Sequence, residues 1–252
     1  MAHALARESS RAGRIFVRDF GLSTPDLFAF GFFVASWAAY HIMLGHGPGA
    51  ETGLNQTMDR YRVRWMLEMA ERDNRIMDSS LMGSLQNGTA FFASTSLLAI
   101  GASATLLRAT DDVLKIFADL PIGGEASRGA WEFKILGLIL IFGYAFFKFA
   151  WAYRLFNYTA ILVGATPARL SPDAKERRRV AMRAAQMNIA AGRHFTRGQR
   201  AFFFALAYFG WFAGPYVFVA TTAAVLAVMS ARQFVSDAHE AVLYEPPEKG
   251  GS

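Results

Sequence analysis

Apolar residues along this chain collect in four blocks of about twenty, the helical length that crosses bilayer hydrocarbon, at 25–44, 88–107, 133–155 and 201–229. The third block opens a longer run, 133–165, that also carries Lys148 and Arg154. Ionisable side chains are costly in that setting, so they need a partner or a task. Pro25 stands in the first turn of the first block, where its missing N–H is harmless, and Gly45-His46-Gly47-Pro48-Gly49 ends that block. Pro215 lies inside the fourth block and predicts a kink.

The polar connections are also helix-prone. No proline occurs between Pro48 and Pro121, so a single helix is expected from near Asn55 through the second block. Fifty such residues would extend roughly 75 Å, more than twice the hydrocarbon thickness. Arg60, Arg64, Glu68, Glu71, Arg75 and Asp78 make a row of mixed sign along it. In the connection before the fourth block, Arg179, Arg183, Gln186, Ala190, Arg193, Arg197 and Arg200 recur at spacings of four and three, hence on one face. The two rows are expected to face each other in part, acids to arginines.

Together these patterns predict an all-α protein: an integral membrane four-helix bundle with two long cytoplasmic helical extensions. Its membrane domain covers 25–235, after an N-terminal segment (1–24) and before a C-terminal tail (236–252). Arg7, Arg11, Arg14 and Arg18 give the first segment the spacing of an amphipathic helix on a membrane surface. The two long connections hold more Lys and Arg than the remaining segments outside the spans, which places them in the cytoplasm.

Composition narrows the function. At 53% hydrophobic, with the charge gathered between apolar blocks, the chain reads as a multi-pass membrane protein. The net charge of +6 therefore belongs to the loops and suits anionic lipid; no nucleic-acid motif accompanies it. Absence of cysteine excludes disulfides, thiolate metal sites and cysteine nucleophiles. The chain has no HExxH, no acid joining two histidines at ligand spacing, and no Walker or Rossmann glycine loop. Ser94, Thr95, Ser96 and Ser103 lack a base in their layer and are expected to hydrogen-bond within or between helices. No enzyme, cofactor or metal is expected. Four-spaced small residues, Gly31-Ala35-Ala39 and Gly210-Gly214, would let helices approach closely and point to a homo-oligomer.

Several phrases occur in order with compatible spacing: Arg60-Tyr61-Arg62-Val63-Arg64-Trp65-Met66, Asn74-Arg75-Ile76-Met77-Asp78, Phe91-Phe92-Ala93-Ser94-Thr95, Phe147-Lys148-Phe149-Ala150-Trp151, Arg154 with Phe156-Asn157-Tyr158, Val163-Gly164-Ala165, and Arg197-Gly198 with Arg200-Ala201-Phe202. Over roughly 25–235 the chain thereby resembles the domain of unknown function 599 family of bacterial and plant membrane proteins. The resemblance implies a multi-span membrane protein and no established activity.

The expected polar site comprises Arg75, Asp78, Lys148, Arg154, Asn157, Arg193, Arg197 and Arg200. Six helical residues separate Lys148 from Arg154, so they point about 120° apart, while Asn157 lies about 60° from Arg154 with Tyr158 flanking. Away from their ends the blocks carry no acid. Counter-charges are thus expected from helix ends, Asp78 and Glu71 being the nearest, or from lipid phosphates or a transported anion. The leading expectation is an oligomeric channel or facilitator for an anionic solute or lipid headgroup in a bacterial inner membrane. The alternative is a non-enzymatic scaffold that binds a protein partner through its cytoplasmic helices.

Overall fold

The computed structural model describes residues 21–46, 54–118 and 127–234. The amphipathic reading of the N-terminal arginines, most of the acidic stretch around Pro121, and the C-terminal tail fall outside these residues. Every described element is helical: α1 (Thr24–His46), α2 (Leu54–Ala70), α3 (Ile76–Arg108), α4 (Thr110–Ala118), α5 (Arg128–Ala165), α6 (Ala174–Phe209), a 3₁₀ turn (Gly210–Ala213) and α7 (Pro215–Phe234). Four helices among the described residues are long and apolar enough to cross a membrane: Thr24–Met43, Ile76–Arg108, Arg128–Ala165 and Pro215–Gln233. Of their apolar stretches, 39% is buried in α5 but only 11% in α3, so α5 is the more enclosed. Outward side chains such as Leu98, Leu140 and Phe147 are more than 70% exposed and call for hydrocarbon around them.

Local chemistry sets the helix starts. At the head of α1, Ser23 Oγ accepts from Asp26 N–H at 3.3 Å while the Asp26 carboxylate accepts from Ser23 N–H at 3.0 Å, a reciprocal cap. Ser127 Oγ accepts from Ala130 N–H at 3.1 Å to start α5, and Asp173 Oδ1 accepts from Glu176 N–H at 2.8 Å to start α6.

Two expectations about helix continuity are corrected. The helix from Asn55 does not run through the second span; it stops at Ala70 and restarts at Ile76. No proline is needed, because Asn74 Oδ1 accepts the Ile76 N–H at 2.9 Å and offers the backbone a turn in place of the helix. The fourth span is not 201–229 with a kink. Residues 201–209 complete α6, and the chain then turns through Gly210–Ala213 and Gly214 before α7 begins at Pro215. Gly214 has φ +129°, a conformation that side chains resist, and Pro215 then supplies a ready-made first helical residue. Gly210 and Gly214 consequently do not form a helical ridge. A Cβ on Gly210 would lie 2.2 Å from Thr221 Oγ1, which itself donates to Ala207 O at 2.8 Å, so this glycine seats a residue of the same chain.

The described residues form two compact units. One contains 21–37, 87–118, 127–151 and 194–225. Its core is aromatic: Trp37 stacks on Phe204 at 5.1 Å, Trp211 stacks on Phe218 at 5.0 Å, and Phe33, 2% exposed, meets Phe204, Tyr208 and Phe218. A second layer in this unit gathers Phe92, Phe149 and Phe195 around Ala145 and Ala201. The other unit contains 38–46, 54–86, 152–193 and 226–234. Its core is built on Met66, Met69 and Met82 with Leu155, Phe156, Val163, Ala184 and Ala185, flexible thioethers filling the space above small α6 residues.

Candidate functional site

The predicted site residues each acquire a definite environment, and two of the eight converge. In the first unit, Lys148 on α5 and Arg197 on α6 both act on His194, one turn before Arg197. His194 is half-buried, its ring 6.4 Å from that of Trp151, and its Nδ1 is buried with no hydrogen-bond partner among the described residues. Burial first, then the positive charges of Lys148 and Arg197, hold the imidazole below its ordinary value near 6.5. No carboxylate among the described residues counters the cluster, and Lys148 Nζ instead lies 5.1 Å from the Tyr144 ring centroid. Two cations thus stand beside an unsatisfied ring nitrogen, and no described carboxylate offsets their charge. Arg200 lies one turn beyond Arg197 on α6 and is half-buried.

The register that brings these groups together comes from close packing. A Cβ on Gly198 would meet three carbons of the Phe149 ring at 2.7–2.9 Å. Only glycine lets α5 and α6 approach so closely, and Lys148 and Arg197 are the sequence neighbours of that contact.

The remaining site residues have structural partners in the second unit. Arg75 donates to the carbonyls of Thr166 at 2.6 Å and Pro167 at 2.8 Å, covering acceptors left open past the end of α5. Asp78, fully buried, accepts from Trp65 Nε1 at 2.7 Å and Arg72 at 2.6 Å through the same oxygen, Oδ1. Asn157 accepts from Gln86 at 2.7 Å. Arg154 is exposed, donates to Tyr158 Oη at 2.7 Å and lies over that ring. The expected use of Asp78 and Glu71 as counter-charges for Lys148 and Arg154 is therefore corrected: Asp78 holds Arg72, and Glu71 holds Arg177 at 3.2 Å. Side-chain reach explains this, since Arg72 stands only six residues from Asp78 across the α2–α3 turn.

The two charged rows do meet acids to arginines, but in a different register. Arg193 pairs with Asp59 at 3.0 Å and Arg177 with Glu71 at 3.2 Å. Each pair thus joins one member of a row to a residue outside it. Arg179 pairs locally with Glu176, and Arg62 donates to Asn188 Oδ1 and to its carbonyl. Burial raises the Asp59 carboxyl despite the neighbouring Arg193. The hydroxyls of Thr95, Ser96 and Ser103 donate to carbonyls four residues back, as expected of serine and threonine within apolar helices.

One polar cluster escaped the sequence reading. In the first unit Asp26 Oδ1 accepts from Trp211 Nε1 at 2.7 Å and lies 3.7 Å from Lys134 Nζ, which donates to Trp211 O at 3.0 Å. Both charged side chains are 13% exposed. The cluster ties the head of α1 and the start of α5 to the α6–α7 break, and Lys134 covers a carbonyl of the 3₁₀ turn. Its signal was the Ser23-x-x-Asp26 cap together with a lysine just inside the third apolar block. We expect Asp26→Ala to lower the melting temperature of the purified protein and Asp26→Asn to lower it less, because asparagine keeps an acceptor for Trp211. Equal losses would show that charge, not the hydrogen bond, holds the cluster.

No curated protein and no solved structure matches the chain. Its four apolar helices and the ordered phrases along the chain nonetheless place it: the chain belongs to the family described as "Protein of unknown function, DUF599", which it matches over residues 28–238.

Proposed function

We propose that this membrane protein is a non-enzymatic channel or facilitator for an anionic solute or lipid headgroup, with Lys148, His194 and Arg197 as its anion-contacting residues. One observation carries the reading: two cations, Lys148 and Arg197, act on the His194 imidazole, whose Nδ1 is buried and unpartnered, with no carboxylate among them. A structural cluster of this kind would ordinarily recruit an acid, as Lys134 does with Asp26. In this proposal the protein resides in a bacterial inner membrane as a four-helix bundle. Its α2 and basic α6 extend it into the cytoplasm, where the α6 row from Arg179 to Arg200 raises the local anion concentration. The exposed ridge Gly31, Ala35 and Ala39 on α1 supplies the contact for a second copy.

Protein reconstituted in liposomes tests this. Anion flux should fall at least tenfold in Lys148→Met, while the Arg178→Gln control on exposed α6 surface leaves it near the parent rate. Flux unchanged by Lys148→Met, or no flux at all, would remove the transport reading. Titration adds a second readout. His194 binds protons less readily in the free folded protein than when unfolded, so acidification below about 6.5 destabilises the free protein. A bound anion favours the imidazolium. Anion-induced thermal stabilisation should therefore grow as pH falls from about 7.5 to 5.5, and His194→Gln should flatten that trend.

The scaffold reading rests on a different feature. Asp59–Arg193 and Glu71–Arg177 pin α2 to α6 outside the apolar spans, which suits a rigid platform for a protein partner. A stoichiometric partner lost in Arg193→Ala, with no flux in liposomes, would favour it.

A further inference from the structure

A cavity of about 510 Å³ opens in the second unit between α2 and the start of α3, and it shares no lining residue with the Lys148 cluster. Its size falls within the roughly 300–1,000 Å³ of small-ligand sites. Met58, Tyr61, Trp65, Leu81 and Leu85 supply an apolar lining, and Arg62, Arg64 and Arg72 supply cations. We propose that this cavity binds one anionic phospholipid of the surrounding membrane, its phosphate on Arg64 and an acyl chain along Leu81 and Leu85.

Three observations favour that occupant. Leu81, Ser84 and Leu85 belong to the first turns of α3, a helix apolar and long enough to span the membrane, so the cavity lies just before the apolar block at 88–107, where a headgroup layer would meet the span. Its apolar lining is itself open to the surroundings, with Met58, Tyr61 and Leu81 exposed, and Ile76 and Met77 at the start of α3 are exposed as well. Aromatic and basic residues together at the edge of an apolar span match the chemistry of the headgroup layer.

The three arginines are not equivalent. Arg62 is engaged with Asn188, and Arg72 with Asp78. Arg64 is exposed and has no hydrogen-bond or ion-pair partner among the described residues. Glu68 also lines the cavity and offsets part of the positive charge. A diester phosphate with one negative charge suits that balance better than a multiply charged soluble anion. Trp65 has its indole N–H directed to Asp78, which fixes its ring as a rigid wall.

The test uses full-length protein, delipidated in detergent and titrated by native mass spectrometry with phosphatidylglycerol, phosphatidylcholine or inorganic phosphate. Phosphatidylglycerol should bind at least tenfold more tightly than phosphatidylcholine, and inorganic phosphate should neither bind nor compete. Arg64→Gln should cost about tenfold in phosphatidylglycerol affinity, Arg64→Lys less, and Ser84→Trp, which fills the cavity from an exposed position, should abolish binding. Arg178→Gln, on exposed α6 surface, should leave this binding unchanged, and Arg64→Gln should leave liposome anion flux near the parent rate, so failure here and failure of the transport reading are separable. Equal affinity for the two lipids, competition by inorganic phosphate, or full binding by Arg64→Gln would overturn the proposal.

Discussion

Asp78→Ala should destabilise the protein by about 3 kcal/mol, a drop of order 10 °C in melting temperature for a chain of this length. The carboxylate is fully buried and one oxygen serves two donors, Trp65 Nε1 at 2.7 Å and Arg72 at 2.6 Å. Alanine would strand the indole N–H in an apolar layer beside Met66, Met69 and Met82. The full penalty for breaking a buried ion pair is about 3–5 kcal/mol. Arg72 holds the loss to the lower end, because its side chain is 37% exposed and can turn to water. Asp78→Asn retains an acceptor and should cost about 1 kcal/mol. Thermal melts of the purified variants in one detergent decide the matter. An alanine variant as stable as the parent would mean that the α2–α3 turn is held by something other than this carboxylate.

The second large effect concerns the approach of α5 to α6. Phe149→Ala should cost about 3–4 kcal/mol by leaving a cavity where a fully buried ring now packs between Phe92 at 5.4 Å and Phe195 at 5.6 Å. Gly198→Ala should cost about 1–3 kcal/mol for the opposite reason, since its new methyl would press into the Phe149 ring at 2.7 Å. In the double variant the methyl enters the space that the ring vacated. The two losses should then fail to add by at least 1 kcal/mol, the signature of residues in direct contact. Additive losses would falsify the packing described here. Because Lys148 and Arg197 flank this contact, Gly198→Ala should also weaken anion-dependent stabilisation, whereas Asp78→Ala should not.

Much of the architecture was legible in the residues. Three apolar blocks fell within helices that bear them out as candidate spans, because twenty consecutive apolar side chains leave the backbone little choice but to bond to itself. The fourth was misplaced for a local reason. Hydropathy runs continuously through Phe202–Phe209 into Tyr216 and beyond, and the break depends on Gly214 adopting positive φ, which apolarity does not report. The break after Ala70 was missed similarly. Asn74 ends a helix through a side-chain bond, and asparagine also occurs inside helices, as Asn157 and Asn188 do.

The site was partly legible. Lys148 stands out as a cation inside an apolar run and Arg197 as a member of the α6 arginine row, and the fold brings both to His194. The histidine itself carries no signal in the sequence, since a lone imidazole in a basic helix has no distinguishing spacing. Arg75, Asp78 and Asn157 were marked by the same polarity argument and proved to hold backbone and side-chain partners within the fold. Polarity says that a group needs a partner; it does not say which.

The sequence alone determined that the described residues are all-helical, with apolar stretches of membrane-crossing length, because backbone satisfaction in such a stretch is a property of consecutive residues. Only the tertiary structure decided which acid meets which arginine, where Gly198 admits the Phe149 ring, and which cations stay without a carboxylate. Those outcomes depend on distances between segments far apart in the chain, and a few ångströms there decide whether a cation meets a carboxylate, a carbonyl or an aromatic ring.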